Sequence, residues 1–527
     1  MLNKNRILDI FICSVLLIVA FGCNNEPSWD FLLEESTRLY KNGQYKEALS
    51  TARKSQALAE EKFGSGHQHT GEILETLAIC NQALGDYQQA ETLLQLAIEI
   101  DRKNHGETHL RVASGRDRLG ELYRLFGKLD EADSLHRAAL KIREKEGETF
   151  EAASSRSHLA AVLHARGNFA EAEPMYRKSL AFFEAQPDAF PLEMAEIQNN
   201  FAEMFRAQDR VVEAERLHQE ALAVREKILP PDHPDIARSL NNLSEVLRIQ
   251  GKYADAEKGF KRALEIWEKN AGPNDPNVAI VSNNLAVVYK AQNKYADAEK
   301  LFRRAFQIDS TNRGLMHPDV ATDLNNLGEL YRVQNQYDEA EPLFKQALSI
   351  LEKTVGASHP NVAQTHGNLA LMYDLQGDYD RAIQHYEKSL MILEKSFGPD
   401  HPAVGSILNN LAILYDSQGQ LNKSAPLYKI AEAIKHKTQV EQSQNASHSE
   451  VVTAYLELAD VYREQQKNPE AAYLYKRALT VQIQATGNNH PEVAVLLDKM
   501  SAFYREWGNK KDAEYLADEA RRIRSQQ

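Results

Sequence analysis

The 527-residue chain reads as an all-α solenoid of about twelve stacked helical hairpins with a 42-residue period. Three observations carry that reading: one phrase recurs at fixed spacing, each copy holds two segments of helical hydrophobic periodicity, and a turn signal separates them. The phrase ARSLNNLSEVLRIQGKYADAEKGFKRALEI begins at Ala237. It returns as AIVSNNLAVVYKAQNKYADAEKLFRRAFQI at Ala279 and as ATDLNNLGELYRVQNQYDEAEPLFKQALSI at Ala321. A repeat this short overrides the expectation of several globular domains that length alone would set.

The register extends forward to Ala363 and Gly405 and backward to Ala195, Ala153, Ala113 and Gly71. A degenerate first copy surrounds Leu39, Gly43, Tyr45 and Ala48, and the last copy starts at Ala494. Between Gly405 and the next start at Val452 the step grows to 47, which places about five extra residues in the Gln/Ser-rich stretch Gln439 to Ser449. That composition predicts a longer loop around 435–451. Within one copy, Leu240, Leu243, Ser244 and Leu247 fall at i, i+3, i+4 and i+7, the stripe of an amphipathic helix A. Gly251-Lys252 breaks it, and Ala256, Phe260, Ala263, Leu264 and Trp267 renew the helical spacing as helix B. Ser244 and Ala256 are small where the two helices must approach, and Leu247 and Phe260 fill the space beside them. A single hairpin cannot bury both faces, so each copy must stack on the next.

The series Leu327, Gly328, Tyr331, Ala340, Phe344 and Ala347 resembles the tetratricopeptide repeat. The doubled asparagine, the longer period and a His-Pro connector resemble its kinesin light chain-like subfamily. The resemblance covers about residues 29–527 and implies a right-handed superhelix with a concave groove lined by the A helices. Kinesin light chains carry a coiled coil before their repeats; few residues separate Cys23 from the first helix here, so motor association is not implied.

Residues 1–22 read as a lipoprotein-type signal, with Lys4 and Arg6 ahead of an apolar run from Ile10 to Phe21. That run is short of the roughly 20 residues a spanning helix needs. Gly22-Cys23 resembles the acylation site of bacterial lipoproteins, making Cys23 the lipidated residue, 23–28 a short tether and 29–527 the solenoid. Each lipid methylene buried in a bilayer contributes about 0.8 kcal/mol to anchoring. Asn24 after the cysteine resembles the outer-membrane sorting pattern of enterobacteria. The expected location is therefore the cell envelope, at the outer membrane facing the periplasm. Cleavage at the small-x-small site Ala20-Phe21-Gly22 is the competing reading, and it releases a soluble periplasmic or secreted chain.

Six successive copies place an asparagine before the helix A leucine: Asn200, Asn242, Asn284, Asn326, Asn368 and Asn410. An amide both donates and accepts. The resemblance implies that this position hydrogen-bonds the backbone of a bound peptide. Helices pack about 8–10 Å apart and an extended peptide advances about 3.1 Å per residue, so one amide meets every third peptide unit. The alternative is that the amides bind the adjacent helix and fix the superhelix. Six positions on, Arg206, Arg248, Lys290 and Arg332 follow Arg124, and the sign then reverses at Asp374 and Asp416 before Arg463 and Arg505. Facing the groove, the basic stretch suits a partner with acidic residues. Facing solvent, it pairs with glutamates such as Glu203, Glu245 and Glu329.

His233, His317, His359, His401 and His490 stand in His-Pro connectors, with Asp275 in one copy. They are a helix diameter apart, too far for metal donors near 2 Å, whereas proline suits the first helical turn. His67 and His69 are close, but two ligands do not make a site. Cys80 lies on an apolar helix face as a small core residue, and three cysteines in all provide no disulfide framework. No phosphate loop, HExxH, GxSxG or paired CxxC occurs, so no catalytic residue, metal or cofactor is expected. A net charge of -13 repels nucleic acid and anionic lipid, which leaves the lipid as the only membrane contact. The expected function is a scaffold that binds a protein or extended peptide in the groove. The alternative is a structural assembly factor acting through its convex face or by self-association.

Overall fold

The computed structural model describes residues 27–41, 44–84, 86–443 and 446–526. Among these residues the chain is a tetratricopeptide-type solenoid of 24 α-helices and no strands. The helices alternate A and B along the chain as twelve successive repeats, numbered as hairpins 1 to 12. Hairpins 1 to 4 are α1 (Trp29–Lys41) with α2 (Tyr45–Phe63), α3 (Gln68–Ala83) with α4 (Tyr87–His105), α5 (Leu110–Leu125) with α6 (Leu129–Arg143), and α7 (Phe150–Ala165) with α8 (Phe169–Glu184). Hairpins 5 to 8 are α9 (Pro191–Ala207) with α10 (Val211–Ile228), α11 (Pro234–Ile249) with α12 (Tyr253–Ala271), α13 (Pro276–Ala291) with α14 (Tyr295–Arg313), and α15 (Pro318–Val333) with α16 (Tyr337–Thr354). Hairpins 9 to 12 are α17 (Pro360–Leu375) with α18 (Tyr379–Phe397), α19 (Pro402–Ser417) with α20 (Leu421–Gln442), α21 (His448–Glu464) with α22 (Asn468–Thr486), and α23 (Pro491–Glu506) with α24 (Lys510–Ser525). Two compact units divide the chain, one ending at Met204 and the other beginning at Phe205.

The connectors start helices as their sequence implies. His233, His317, His359, His401 and His490 are N-caps, each accepting through Nδ1 from the backbone N–H two residues on, at 3.1 to 3.3 Å. Asp275 does the same with a carboxylate oxygen, 2.8 Å from the Asn277 nitrogen. The proline that follows begins the helix at a position where no N–H is needed. Between the two helices of hairpins 3 to 12 the chain reverses through one left-handed residue. Gly251 serves at φ 76°, while Asn293 and Asn335 do so at 60°, which asparagine tolerates better than most side chains.

Packing explains the small and large residues of the repeat. Ala256, Phe260 and Ala263 are fully buried, as are Ala340, Phe344 and Ala347. A Cβ on Gly328 would lie 2.7 Å from the Phe344 ring, so the glycine is what admits the aromatic. Ser244 occupies the same slot in hairpin 6 and packs against Gly259. Cys80 is fully buried, and burial pushes its thiol up.

The expected loop at 435–451 is corrected. Helix α20 runs 22 residues to Gln442, against 19 for α18, so part of the insertion lengthens the helix. Its polar composition misleads because the extension has buried partners. Ile430 and Ile434 enter the core, the Lys437 ammonium lies 2.9 Å from Asp400 and 3.0 Å from Glu441, and the Tyr455 hydroxyl donates to Glu441 at 2.5 Å. The signal, Cys23 and most of the tether lie outside the described residues. No described helix is long and apolar enough to cross a membrane.

Candidate peptide-binding face

The asparagines are all half-buried on their A helices. Within the second unit they do two different things. Asn284 donates to Asn241 Oδ1 at 2.9 Å, and Asn326 donates to Asn283 Oδ1 at 3.4 Å, so the second amide of one repeat bonds the first amide of the repeat before. The first amides continue the chain: Asn241 donates to Asn242 at 3.2 Å, Asn283 to Asp323, and Asn325 to the Thr365 hydroxyl at 2.8 Å. The doubled asparagine therefore stitches neighbouring A helices together across hairpins 6 to 9. Asn284 and Asn326 each spend one N–H on this and keep acceptor capacity. Asn368 and Asn410 make no side-chain hydrogen bond with another described residue. Asn200 lies on α9, in the first unit.

Asp323 is fully buried at the end of this network. Burial raises its carboxyl to about 7, in spite of the Asn283 hydrogen bond and with help from Asp309 and Asp319. Neighbouring repeats place Ser239, Val281 and Thr365 at this register, so the charge is particular to hairpin 8.

The basic row is paired within the chain. Arg248 grips Glu245 at 2.6 and 2.8 Å, and Arg332 grips Glu329 at 2.6 and 2.7 Å, both three residues back on the same helix. Hairpin 7 has Val287 where the glutamate would be. Lys290 reaches instead to Glu329 of the next hairpin, 3.7 Å away. Burial and the repulsion of Arg332 and Arg248 together hold its ammonium below the usual lysine range, against the pull of Glu329. Three cations thus share two carboxylates, Glu245 and Glu329. Arg206 is half-buried near the end of α9. Further on the face changes character: Leu371 and the 49% exposed Ile413 replace the glutamates, Asp374 and Asp416 replace the cations, and burial raises the Asp374 carboxyl.

A second polar cluster lies in the first unit and has no counterpart in the sequence reading. One ligand atom each from Asp117, His136 and His158 lies within 4.8 Å of the others. His136 Nδ1 is 2.9 Å from Asp117 Oδ1, and its Nε2 is 3.5 Å from Glu121 Oε1. Burial alone would depress His136, but the two carboxylates outweigh it and hold the ring up at about 9. His136, with Arg143 and Arg124 alongside, keeps Asp117 and Glu121 low against their own burial. The three residues come from α5, α6 and α7, 19 and 22 positions apart, so no local motif announces them.

A stack of helical hairpins with a polar A-helix face defines the class of protein. A tetratricopeptide-repeat model matches residues 39–103, 69–145, 111–185, 193–258, 240–311, 319–395, 375–436 and 450–526, and a second matches 283–353. The chain belongs to the tetratricopeptide-repeat family. Such repeats are typically non-catalytic protein-interaction scaffolds. No curated protein matches the chain. Among solved structures it is similar to BtubC (BKLC) from P. vanneervenii, at 20% identity over 46% of this chain and 92% of that one, with a TM-score of 0.35. It is similar to nearly identical repeats of a putative kinesin light chain from Podosopora anserina, at 24% identity over 38% and 95%, with a TM-score of 0.33. A Rap protein complexed with competence and sporulation factor shares 14% identity over 72% and 99%, with a TM-score of 0.48.

Proposed function

We propose that the chain is a non-catalytic scaffold that binds an extended peptide or partner segment along the A-helix face of hairpins 6 to 10, at the cell envelope. The observation that carries this is the row of half-buried amides, which outruns its structural duty. Asn368 and Asn410 sit at the same register as Asn284 and Asn326 but stitch nothing. Beside the row, the cation excess at Arg248, Lys290 and Arg332 suits acidic ligand residues. Leu371, Asp374, Ile413 and Asp416 suit an apolar segment ending in basic ones. Opposite charges read this way set direction along the face more than raw affinity.

The test separates binding from stability. Asn368→Ala with Asn410→Ala removes two ligand hydrogen bonds and no interhelical one, so thermal melting stays within a degree or so while capture of the partner from the envelope fraction weakens about tenfold, each hydrogen bond being worth about 0.5–1.5 kcal/mol. Asn242→Ala, Asn284→Ala and Asn326→Ala together weaken capture too, and also lower stability. Undiminished capture by both variants sinks the groove reading. Concentration-dependent size of the chain alongside such capture favours assembly through self-association.

The envelope location rests on Cys23 and its signal. Growth with an alkyne-bearing fatty acid is expected to label the wild-type chain, and Cys23→Ser to abolish the label and release the chain from membranes. An unlabelled wild type found in the soluble periplasmic fraction would replace the anchor with simple secretion.

A further inference from the structure

The register of the repeats shows what is unusual about the cluster in hairpins 3 and 4. His136 occupies the aromatic slot held by Phe260, Phe302 and Phe344. His158 occupies the slot of Asn242, Asn284 and Asn326, and Asp117 that of Asn241, Asn283 and Asn325. Three positions that elsewhere pack or stitch thus carry metal-ligating side chains in adjacent hairpins. Gly120 makes room for the ring: a Cβ there would come within 2.7 Å of His136 Nε2.

Two ring nitrogens are left without a hydrogen bond, while His136 Nδ1 is taken by Asp117. His136 is fully buried and its Nε2 has no hydrogen bond, and the buried His158 Nδ1 has none either. Asp117 is held from behind, since Arg143 and the Ser155 hydroxyl both bond its Oδ2, leaving Oδ1 toward His136. Arg124 holds Glu121 at 3.0 Å, and Glu121 in turn faces His136 Nε2. Such outer contacts orient carboxylates for a metal, and donors carried on packed helices are placed more firmly than donors on loops. A zinc-class ion with bonds of about 2.0–2.2 Å needs its donors roughly 3–3.5 Å apart, so a group already within 4.8 Å has to contract by at most about 1.3–1.8 Å. His158 is only half-buried, which leaves a route for entry and the freedom to close.

We propose that Asp117, His136 and His158 form a binding site for one divalent transition-metal ion of the zinc class, with Glu121 orienting the His136 ring from its other nitrogen. Two imidazoles beside a carboxylate favour zinc, cobalt, nickel or copper over calcium and magnesium, which take all-oxygen sets. The site is independent of the peptide-binding reading. Its ion would clamp α5, α6 and α7 together, tying hairpin 3 to hairpin 4.

Cobalt(II) reports on such a site directly, because a four-coordinate ion absorbs strongly in the visible. Titration of the chelator-treated full chain is expected to give a saturable band at one equivalent. His158→Asn restores the residue that the later repeats carry, and it should weaken cobalt binding by at least about tenfold while far-ultraviolet circular dichroism and melting in chelator stay unchanged. Glu121→Gln, read the same way, guards against a local folding defect in the first variant. His69→Asn should leave the band intact. No saturable band in the wild-type chain, or equal affinity in His158→Asn and Glu121→Gln, overturns the site and leaves the cluster as a buried ion network.

Discussion

Replacing Phe344 by alanine is expected to cost about 3–5 kcal/mol, the range for deleting a buried aromatic and leaving a cavity. The ring is fully buried. It lies over Gly328 of its own hairpin and belongs to a cluster that includes Leu369, Ala370, Met372 and Tyr373 of the next one. Its loss therefore strikes the hairpin and an interface between hairpins at once. In a solenoid, stability is approximately a sum of repeat terms and nearest-neighbour terms, so the damage should stay local. Hydrogen exchange in Phe344→Ala is expected to quicken in α15 to α18 and to leave α23 and α24 near their wild-type protection. Urea denaturation followed by circular dichroism should broaden as hairpins 8 and 9 uncouple from the rest. A loss below about 1 kcal/mol would show that the site collapses around the missing ring, and protection lost evenly along the second unit would show that it folds as one indivisible core rather than repeat by repeat.

Most of this fold was legible in the residues themselves, because a repeat states its packing rules many times over. Leu327, Gly328, Ala340, Phe344 and Ala347 all prove buried or tightly packed as their spacing implied. The His-Pro connectors start helices, and the structure adds that the histidine ring is itself the cap. The glutamate three residues before Arg248 and Arg332 was visible as a pair because helical neighbours are fixed by the chain alone. Other features depend on how one helix approaches the next, which no local pattern records. The stitch from Asn284 to Asn241 spans 43 residues, and the helix that runs into the insertion of hairpin 10 is held where Lys437 meets Asp400, 37 residues back. The Asp117, His136 and His158 cluster needs three helices to assemble. A comparison of each repeat slot against its own series would have marked all three residues as exceptions.

The same comparison identifies the other exceptional pair and leads to a pH-dependent result. His366 and His385 stand where hairpin 8 has Leu324 and Leu343 and hairpin 10 has Leu408 and Leu427. Their Nδ1 atoms are 2.8 Å apart, which requires one ring to donate and the other to accept, so the two cannot both be protonated while this bond holds. Burial depresses both to about 4; for His366 the neighbouring His385 and Lys388 add to this, and for His385 Lys388, Lys345 and Arg381 do, with Glu341 opposing. The unfolded chain takes up these protons near pH 6.5, well before the folded one does. The stability of the neutral pair is therefore complete above pH 6.5 and drains away as pH falls toward 4. Two independent shifts of this size would sum to about 7 kcal/mol, but the rings are coupled and His385 is partly exposed, so we expect about 3 kcal/mol. Asp323 acts in the opposite direction over much of that range: its raised carboxyl binds a proton in the folded chain first, so its contribution grows as pH falls from 7. The total stability of the wild-type chain mixes the two. The difference between wild type and His366→Leu with His385→Leu removes Asp323 from the comparison, since it is common to both. That difference, read from urea denaturation at pH 7.5 and pH 4.5, is expected to move by about 3 kcal/mol in favour of the double variant at the lower pH. A difference that holds constant across this interval would mean that the two rings titrate as ordinary solvated histidines and that the 2.8 Å bond does not persist in solution.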